Sequence, residues 1–400
     1  MNLARRHWLA FALSGLVLAG ALWSLPPVVD AVTGAAPGDA ELTRPLLYTV
    51  FAPFSNLLDA FTFLSLERAQ TALAGWALVL AAFGAARLGT LRLRVGRAAL
   101  GPIILIAIAG ATVVLPRPVP RLVADSAVTV LDYHAHTEAS HDGRAGWTAE
   151  DLGRWHAAQG FHSAYVTDHN VVFNRRVEQP IPLLPGVEWS VYRQHIVALG
   201  AARNVDRERY QGDTRRLLAL FAELHRQGAL GIASLPEYWR NHREDLDAFV
   251  AAGVDGFEIV NCAPQAIGFA APNRRDVLAL AARHDLLVTG ASDNHGWGRV
   301  TCVWNLSVPG GHGFRANRVV TRPMVLAQGD SPAWNAAFTQ PWLMFRSLTW
   351  GERMSWLTWI LVLSIYRGVP RRRGQRAGLG ILARSVAGHE PPPAEGASGA

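Results

Sequence analysis

Two chemically important residue types are absent or scarce in this 400-residue chain. It contains no lysine, so all 38 basic residues are arginine, and it contains only 2 cysteines. The absence of lysine excludes Schiff-base and lysine-nucleophile chemistry. Two cysteines exclude a small fold held together by disulfides. Cys262 and Cys302 can pair only if they lie in an oxidising compartment.

Charge is also scarce. Only 17% of the residues are charged and 50% are hydrophobic, whereas about 25% are charged in typical soluble domains. This composition excludes a wholly disordered chain and favours membrane segments. Residues 124–330 contain 20 Arg and 23 Asp plus Glu (net −3), and the rest of the chain contains 18 Arg and 8 acidic residues (net +10). The basic excess therefore flanks apolar segments, which indicates membrane topology, and we predict no strong nucleic-acid surface.

Three apolar segments approach the length of about 20 residues that a membrane span requires. They are residues 8–25, 71–86 and 98–115. A weaker candidate, 45–66, contains Asp59, which costs about 2.5–3.5 kcal/mol at mid-membrane. The link after the second segment carries Arg87, Arg92, Arg94 and Arg97. Three spans place Arg5, Arg6 and this link in the cytoplasm and residue 117 onward outside; we prefer this to four spans, which would put the link outside.

The C-terminal region contains one more apolar run, residues 354–366, followed by Arg367, Arg371, Arg372, Arg373 and Arg376. It is either a returning span or an amphipathic helix on the membrane surface. We therefore predict an anchor over 1–123, a second domain over 124–330, a membrane or interfacial helix within 331–376 and a disordered tail over 377–400. The expected location is the cell membrane, with several spans and the domain over 124–330 outside the cytoplasm.

Residues 124–330 alternate between strand-like and helix-like patterns. The predicted strands are 128–134, 163–167, 183–191, 195–199, 229–233, 256–260 and 286–290. The predicted helices between or after them are 148–159, 214–227, 244–252 and 274–284. This alternation predicts an α/β domain whose parallel strands are joined by helical crossovers.

Histidine and acidic residues concentrate at the ends of these strands. Of 14 histidines, 12 fall between residues 134 and 312. His134 and His136 are two positions apart on a strand and face the same side, which suits two imidazoles on one metal ion. Asp293 and His295 repeat the spacing. Imidazoles mixed with carboxylates suit Zn, Mn or Fe. Such ions turn bound water into a nucleophilic hydroxide, and two together can clamp the leaving oxygen of a phosphoester.

The ordered segments LDYHAHTEASHDG, YVTDHN, PGVEWS, HIVALG and GASDNH resemble the successive motifs of the PHP (polymerase and histidinol phosphatase) family of metal-dependent phosphoesterases. The resemblance covers about residues 130–296. It implies a distorted (β/α)7 barrel and the activity of a phosphatase, nucleotide phosphoesterase or exonuclease. The substrate would be a phosphorylated small molecule, a nucleotide or a lipid-linked phosphate.

The resemblance also implies two or three divalent metal ions. The first would be held by His134, His136, Glu188 and Asp293, and the second by Asp142, His169 and His295. Glu188 would bridge to a third ion shared with His195. The family usually has a histidine directly before a proline at the end of the fifth strand, where this chain has Leu235. The third ion is therefore absent, weakly held or rescued by Glu237 or His242.

Several further residues keep two interpretations each. His141 is either a proton donor to the leaving group or a solvated loop residue, and Asp168 either orients His169 or caps a turn. Candidates to hold a substrate phosphate are Arg144, Arg175, Arg176, Arg193, Arg240 and, most favoured, Arg299. Three tryptophans either stack on a base or a sugar of the substrate or pack in the protein core: Trp189, Trp239 and Trp297. Six other histidines are most simply interpreted as helix-face or loop residues: His156, His162, His225, His242, His284 and His312.

Two other functions stay open. Leu235 and the unusual membrane flank are compatible with a non-catalytic metal-binding sensor or assembly module at the membrane. The second open function is hydrolysis of a non-phosphate bond, because metal hydroxides also attack carbonyls.

Overall fold

The computed structural model describes residues 3–86 and 90–368. The strands are β1 Val29–Asp30, β2 Ala40–Thr43, β3 Arg121–Ala124, β4 Thr129–Asp132, β5 Ser163–Val166, β6 Leu183–Val191, β7 Gln194–Leu199, β8 Leu230–Ala233, β9 Gly256–Asn261, β10 Leu287–Ala291, β11 Val303–Ser307 and β12 Asn317–Thr321. The helices are α1 Leu3–Leu22, α2 Leu46–Val50, α3 Ala52–Thr62, α4 Leu66–Ala85, α5 Leu91–Val114, α6 Ala149–Gln159, α7 Thr214–Arg226, α8 Leu235–His242, α9 Leu246–Ala251, α10 Ala271–Arg283, α11 Pro323–Leu326, α12 Ala336–Arg346 and α13 Trp350–Gly368.

Ten of these strands form one sheet in the order β1-β12-β11-β4-β5-β6-β7-β8-β9-β10. All seven predicted strands are present in it, and β11 and β12 extend it beyond them. The expectation of uniformly parallel strands is wrong at β7, which is antiparallel to β6 and to β8. The reason is local: only Tyr192 and Arg193 separate β6 from β7, and both have positive φ. A two-residue turn of this kind makes a hairpin, whereas a parallel pair needs a long crossover.

Side-chain amides of β11 and β12, near one end of the sheet order, bond the backbone of β10 at the other end. Asn305 on β11 donates to Gly290 O on β10 at 2.7 Å and accepts from Gly290 N at 2.8 Å. The same amide donates to Leu131 O on β4 at 3.0 Å, and Asn317 on β12 donates to Val288 O at 2.7 Å. Strand β10 is the last strand of the sheet order and pairs with β9, so these amides satisfy backbone groups that β10 would otherwise leave without partners. The result is a mixed α/β fold with a curled, half-barrel sheet.

The helices around the sheet begin and end for recognisable reasons. Thr148 and Asp151 cap α6 reciprocally. The apolar face of α7 is formed by Leu217, Leu220, Phe221 and Leu224, which are fully buried, whereas Leu218 is exposed. Helix α10 begins at Ala271, directly after Ala270, so Asn273 lies inside it.

The N-terminal and C-terminal helices pack on one another beside the sheet. Arg353 on α13 donates to Val17 O and Gly20 O of α1 at 3.0 and 3.2 Å. Asn56 on α3 donates to Glu352 at 2.8 Å. The region predicted as an anchor also supplies an edge strand to the ten-stranded sheet, since β1 pairs with β12. The boundaries at 123 and 330 remain predictions.

One helix in the described part of the chain, Leu91–Val113, is long and apolar enough to cross a membrane. The apolar part of α1 is shorter, His7–Leu22. Residues 45–66 are broken into α2 and α3, and Asp59 is buried with its carboxylate 2.9 Å from Arg117. Three spans and the outward orientation are therefore not supported beyond this one helix. Arg87, the cluster 371–376 and the tail 377–400 lie outside the described residues.

Candidate metal centre

The fold brings together the eight residues predicted as metal ligands. His134 and His136 follow β4, His169 follows β5, and Asp293 and His295 follow β10. Glu188 and His195 face one another across the β6–β7 hairpin, and Asp142 lies in the loop after β4. Residues at neighbouring strand ends converge because those ends meet at one edge of the sheet.

Glu188 lies at the middle of the cluster. Its Oε2 is 3.2 Å from His134 Nε2, 3.3 Å from His136 Nε2 and 3.0 Å from His169 Nδ1. Its Oε1 is 2.7 Å from His195 Nδ1. The two carboxylate oxygens therefore face different histidines, which is the arrangement that a bridging ligand needs.

Two aspartates complete the cluster. Asp293 Oδ1 is 3.1 Å from His136 Nε2 and 3.6 Å from both His134 Nε2 and His295 Nδ1. Asp142 places Oδ1 at 3.3 Å from His295 Nε2 and Oδ2 at 3.5 Å from His169 Nε2. Asp293 adopts a left-handed backbone with φ 48°. Strained backbone at such a position is typical of functional sites.

Neighbouring groups determine which ring nitrogen of three histidines faces the cluster. The Nδ1 of His134 lies 2.9 Å from the Glu258 carboxylate, and the Nδ1 of His295 lies 3.0 Å from Asp293 O. Both oxygens accept, so both Nδ1 atoms carry the proton. His136 Nδ1 lies 2.8 Å from Ser140 Oγ, which also accepts from His169 N. This pattern directs each Nε2 at the cluster, as in metal-binding histidines, and a bound cation would take the place of any proton on it.

Five buried polar atoms of the cluster have no hydrogen bond of acceptable geometry. They are His134 Nε2, His136 Nε2, His169 Nδ1, Asp293 Oδ1 and His295 Nε2. Unpaired buried polar atoms are costly, and several in one place require an explanation. Cations bound between imidazole nitrogens and carboxylate oxygens would satisfy all five, so the residues present fit divalent metal ions.

The electrostatics favour the same donor set. Burial and the neighbouring His295 lower the pKa of His136 to about 3, so this ring is neutral near pH 7. Burial alone would raise the pKa of Glu188, but His134 and His195 outweigh it and hold that pKa well below its usual range. Burial is likewise outweighed at Asp293 by His134 and His136, and its pKa is lowered. Carboxylates that stay ionised beside a neutral imidazole are suitable ligands.

The residues at the predicted third-ion site differ from the pattern that the resemblance implies. Leu235 is fully buried at the start of α8. Of the two residues predicted to replace a ligand there, Glu237 lies near the site, with Oε2 at 3.8 Å from His195 Nδ1. His242 does not, because its ring bonds Asp245 at 3.1 Å and Arg193 O at 3.0 Å. Glu237 is therefore the available replacement.

Several supporting residues were missed from the sequence. Glu258 contacts His134 and accepts from Ser234 Oγ at 2.7 Å and from Asn261 Nδ2 at 2.8 Å. His156, read as a helix-face residue, is buried with Nε2 at 2.7 Å from Asp132. The one available signal was an acidic residue inside the apolar strand GFEIVN.

Asp168 supports the cluster indirectly. Its carboxylate accepts from Thr137 N at 2.6 Å and Thr137 Oγ1 at 2.8 Å. It also accepts from Ser140 Oγ at 3.3 Å. The interpretation as a residue that holds a turn is therefore favoured over the orientation of His169.

A cavity of about 790 Å³ opens over the cluster. His141 and Trp297 line it and are largely exposed, and Glu237 and Tyr238 line it nearer to His195. Within the described residues, none of the six predicted phosphate-binding arginines lines this cavity. Arg299 donates from Nε to Val113 O at the end of α5. Arg144 lies over Trp147, Arg175 pairs with Glu150, and Arg176 pairs with Glu178.

The remaining predicted features are distributed between core and cavity. Trp189 and Trp239 are buried in the core, so of the three tryptophans only Trp297 lines the cavity. Cys262 and Cys302 form a disulfide that joins the end of β9 to the start of β11. Cys262 also lines the cavity.

No family model and no curated protein matches this chain. Among solved structures, it is similar to a protein of Bifidobacterium adolescentis classed as a metal-dependent phosphoesterase, with TM-score 0.32 and 20% identity, over 46% of this chain and 92% of that one. It is also similar to the lesion-specific endonuclease PfuEndoQ of Pyrococcus furiosus, with TM-score 0.32 and 12% identity, over 45% of this chain and 52% of that one. Similarity at this level leaves the activity to be inferred from the cluster itself.

Proposed function

We propose that this chain is a metal-dependent phosphoesterase of the PHP type. The observation that carries the proposal is the set of five unpaired buried polar atoms grouped around Glu188 and Asp293. The order of the motifs along the chain supports the same reading. Hydrolysis of a phosphoester is the reaction that such a cluster serves best, because its substrate is anionic and its transition state spreads charge over several oxygens.

The proposed ligand sets follow the geometry. One ion would be held by His134, His136, Glu188 and Asp293, and a second by Asp142, His169 and His295. Glu188, His195 and Glu237 are the residues available to a third. When bound, these ions would activate water and neutralise charge on the phosphoryl oxygens, and the nitrogen and oxygen donors suit Zn, Mn or Fe.

The chain's own residues supply positioning and protons. The oxygen of a water molecule forms a bond to phosphorus and loses a proton to solvent, the ester P–O bond breaks, and the departing alkoxide takes a proton. His141, exposed at the cavity mouth, is the proposed donor of that proton. No arginine lines the described cavity wall, so the substrate phosphate would be recognised mainly by the cations.

The test measures metal content and hydrolysis of 4-nitrophenyl phosphate by the full chain. We expect bound divalent metal, turnover that a chelator removes, and loss of turnover in His136→Ala and Asp293→Ala. The matched control is His225→Ala, whose imidazole pairs with Asp255 outside the cavity. Wild-type turnover in either cluster variant would refute the proposal.

A non-catalytic metal-binding module is the second candidate, and Leu235 is the observation that favours it. Bound metal without turnover of any phosphoester would support this alternative. In both cases we propose attachment to the cell membrane through α5, and further spans remain predictions.

A further inference from the structure

The cavity over the cluster has two chemically different walls. One is formed by the polar groups of the cluster, including Glu188, Asp293 and His295. A second wall is apolar and is formed by residues of three helices. It contains Phe61 from α3, Leu66 and Leu73 from α4, and Ala109 and Val113 from α5.

Helices α4 and α5 form an antiparallel hairpin whose base is this apolar wall. Close contact is made through glycine: a Cβ at Gly84 would lie 2.5 Å from Arg97 O, and one at Gly101 would lie 2.6 Å from Leu80 Cβ. Helix α4 begins at the cavity and α5 ends there. The hairpin therefore projects away from the cluster, with its base at the cavity mouth.

The projecting part of the hairpin is an exposed apolar surface. Leu78 on α4 is 72% exposed, and Leu91 and Ile106 on α5 are 80% and 67% exposed. The α5 segment is also the helix that is long and apolar enough to cross a membrane. If it does, the apolar wall lies where that span leaves the bilayer, so acyl chains would adjoin the cavity.

We propose that the substrate is a lipid of the surrounding bilayer that carries a phosphoester. Its phosphate would bind at the metal cluster, and its alkyl chain would lie along the wall formed by Leu66, Leu73 and Val113. This inference rests on the proposed function and specifies its substrate class. The cavity volume of about 790 Å³ exceeds what a phosphate alone requires, and it lies within the usual range for sites that hold a whole organic ligand.

The experiment compares non-hydrolysable probes that differ only in chain length. Methylphosphonate, octylphosphonate and dodecylphosphonate are titrated into the full chain in phosphatidylcholine nanodiscs, with empty nanodiscs to subtract partitioning. Burial of each methylene strengthens binding about fourfold. Even with partial burial we expect octylphosphonate to bind at least about a hundredfold more tightly than methylphosphonate.

Matched variants locate the effect. Leu66→Gln changes the apolar wall, and Leu46→Gln changes an exposed leucine on α2 outside the cavity. We expect Leu66→Gln to weaken dodecylphosphonate binding at least about tenfold while methylphosphonate binding stays within about twofold, which also shows that the site remains folded. Val113→Gln should behave like Leu66→Gln, and Leu46→Gln like the wild type.

Equal affinity for all chain lengths would overturn the inference, and so would an equal loss in Leu46→Gln. Tighter binding of a nucleoside monophosphate than of dodecylphosphonate would also overturn it. Chain-length preference without hydrolysis of dodecyl phosphate or 4-nitrophenyl phosphate would reject the proposed function and retain the lipid site. Hydrolysis of 4-nitrophenyl phosphate without chain-length preference would do the reverse.

Discussion

The carboxylate of Glu258 lies 2.9 Å from Nδ1 of His134, and both side chains are fully buried. Glu258 does not reach the centre of the cluster. It acts on the histidine, because a carboxylate at Nδ1 keeps the proton there and leaves Nε2 free for a cation.

Glu258→Gln should therefore weaken metal binding. An amide can donate to Nδ1 and favour the ring form that has its proton on Nε2. We expect a loss of metal affinity of about 10–100-fold, as for other residues that orient ligands. Competition with a metal indicator measures it. Glu223→Gln, on α7, is the control. Unchanged affinity in Glu258→Gln would show that Glu258 has only a packing role.

The metal-free protein should lose stability as the pH rises through about 9. Burial alone would lower the pKa of His295, but the Asp142 carboxylate 3.3 Å from Nε2 and the charge of Asp293 raise the pKa to about 9. The unfolded value is about 6.5. The folded state thus holds the extra proton, so the stabilisation is complete below about pH 6.5 and disappears as the pH passes the folded pKa.

Thermal unfolding of chelator-treated protein at several pH values between 6 and 10 measures this effect, which is on the order of 3 kcal/mol. His295→Gln should reduce the alkaline decline. A remainder is expected from His134 and His195, because Glu188 outweighs burial and raises the pKa of both. If the melting temperature of the metal-free wild-type protein did not depend on pH, the prediction would be contradicted.

Asp59→Asn should destabilise the packing of the flanking helices. The carboxylate lies 2.9 Å from Arg117 and accepts from Tyr48 Oη at 2.7 Å, and all three groups are buried. The substitution leaves a buried guanidinium without its counter-charge, which costs about 3–5 kcal/mol. Thermal unfolding compares it with Glu67→Gln, an exposed carboxylate on α4. Equal melting temperatures would show that the ion pair contributes little.

Thiol labelling should find no reactive cysteine before reduction and two after it. Cys262 and Cys302 are the 2 cysteines of the chain, and they are bonded to one another in the structure. Disulfides persist mainly in oxidising compartments. Labelling of protein denatured directly from cells measures the pairing as it exists there. Two labelled thiols without reduction would indicate a reducing environment and weigh against an outward-facing domain.

A reporter fused after residue 123 tests the orientation directly. The placement of arginines predicts that this position lies outside the cytoplasm. Two reporters measure on which side of the membrane this position lies. One is active only in the cytoplasm and the other only outside it, so each is the control for the other. Activity of the cytoplasmic reporter would reject the three-span arrangement.

The grouping of the side chains in the cluster could be predicted because they lie in short motifs at strand ends. His134 and His136 are joined by one residue, and so are Asp293 and His295, so local spacing shows their shared face. Glu258 could not be assigned in this way. Its partner His134 is 124 positions away, and only the fold brings the two together.

The departures from the sequence-based expectations have local causes. The two-residue turn at Tyr192 and Arg193 reverses β7, which alternation of strands and helices does not predict. Arg299 follows a ligand motif, yet its guanidinium bonds the end of α5, a contact that depends on where the N-terminal helices pack. Residues 45–66 are apolar enough to suggest a span, but the segment is broken into α2 and α3, and Asp59 is buried beside Arg117.

The pairing of β1 with β12 constrains how this protein can be divided. A fragment that starts at residue 124 would lack β1 and leave the outer side of β12 with unsatisfied backbone groups. Such an open edge recruits strands from other molecules. Recombinant production of such a fragment should therefore yield self-associating material, and activity measurements are best begun on the intact polypeptide.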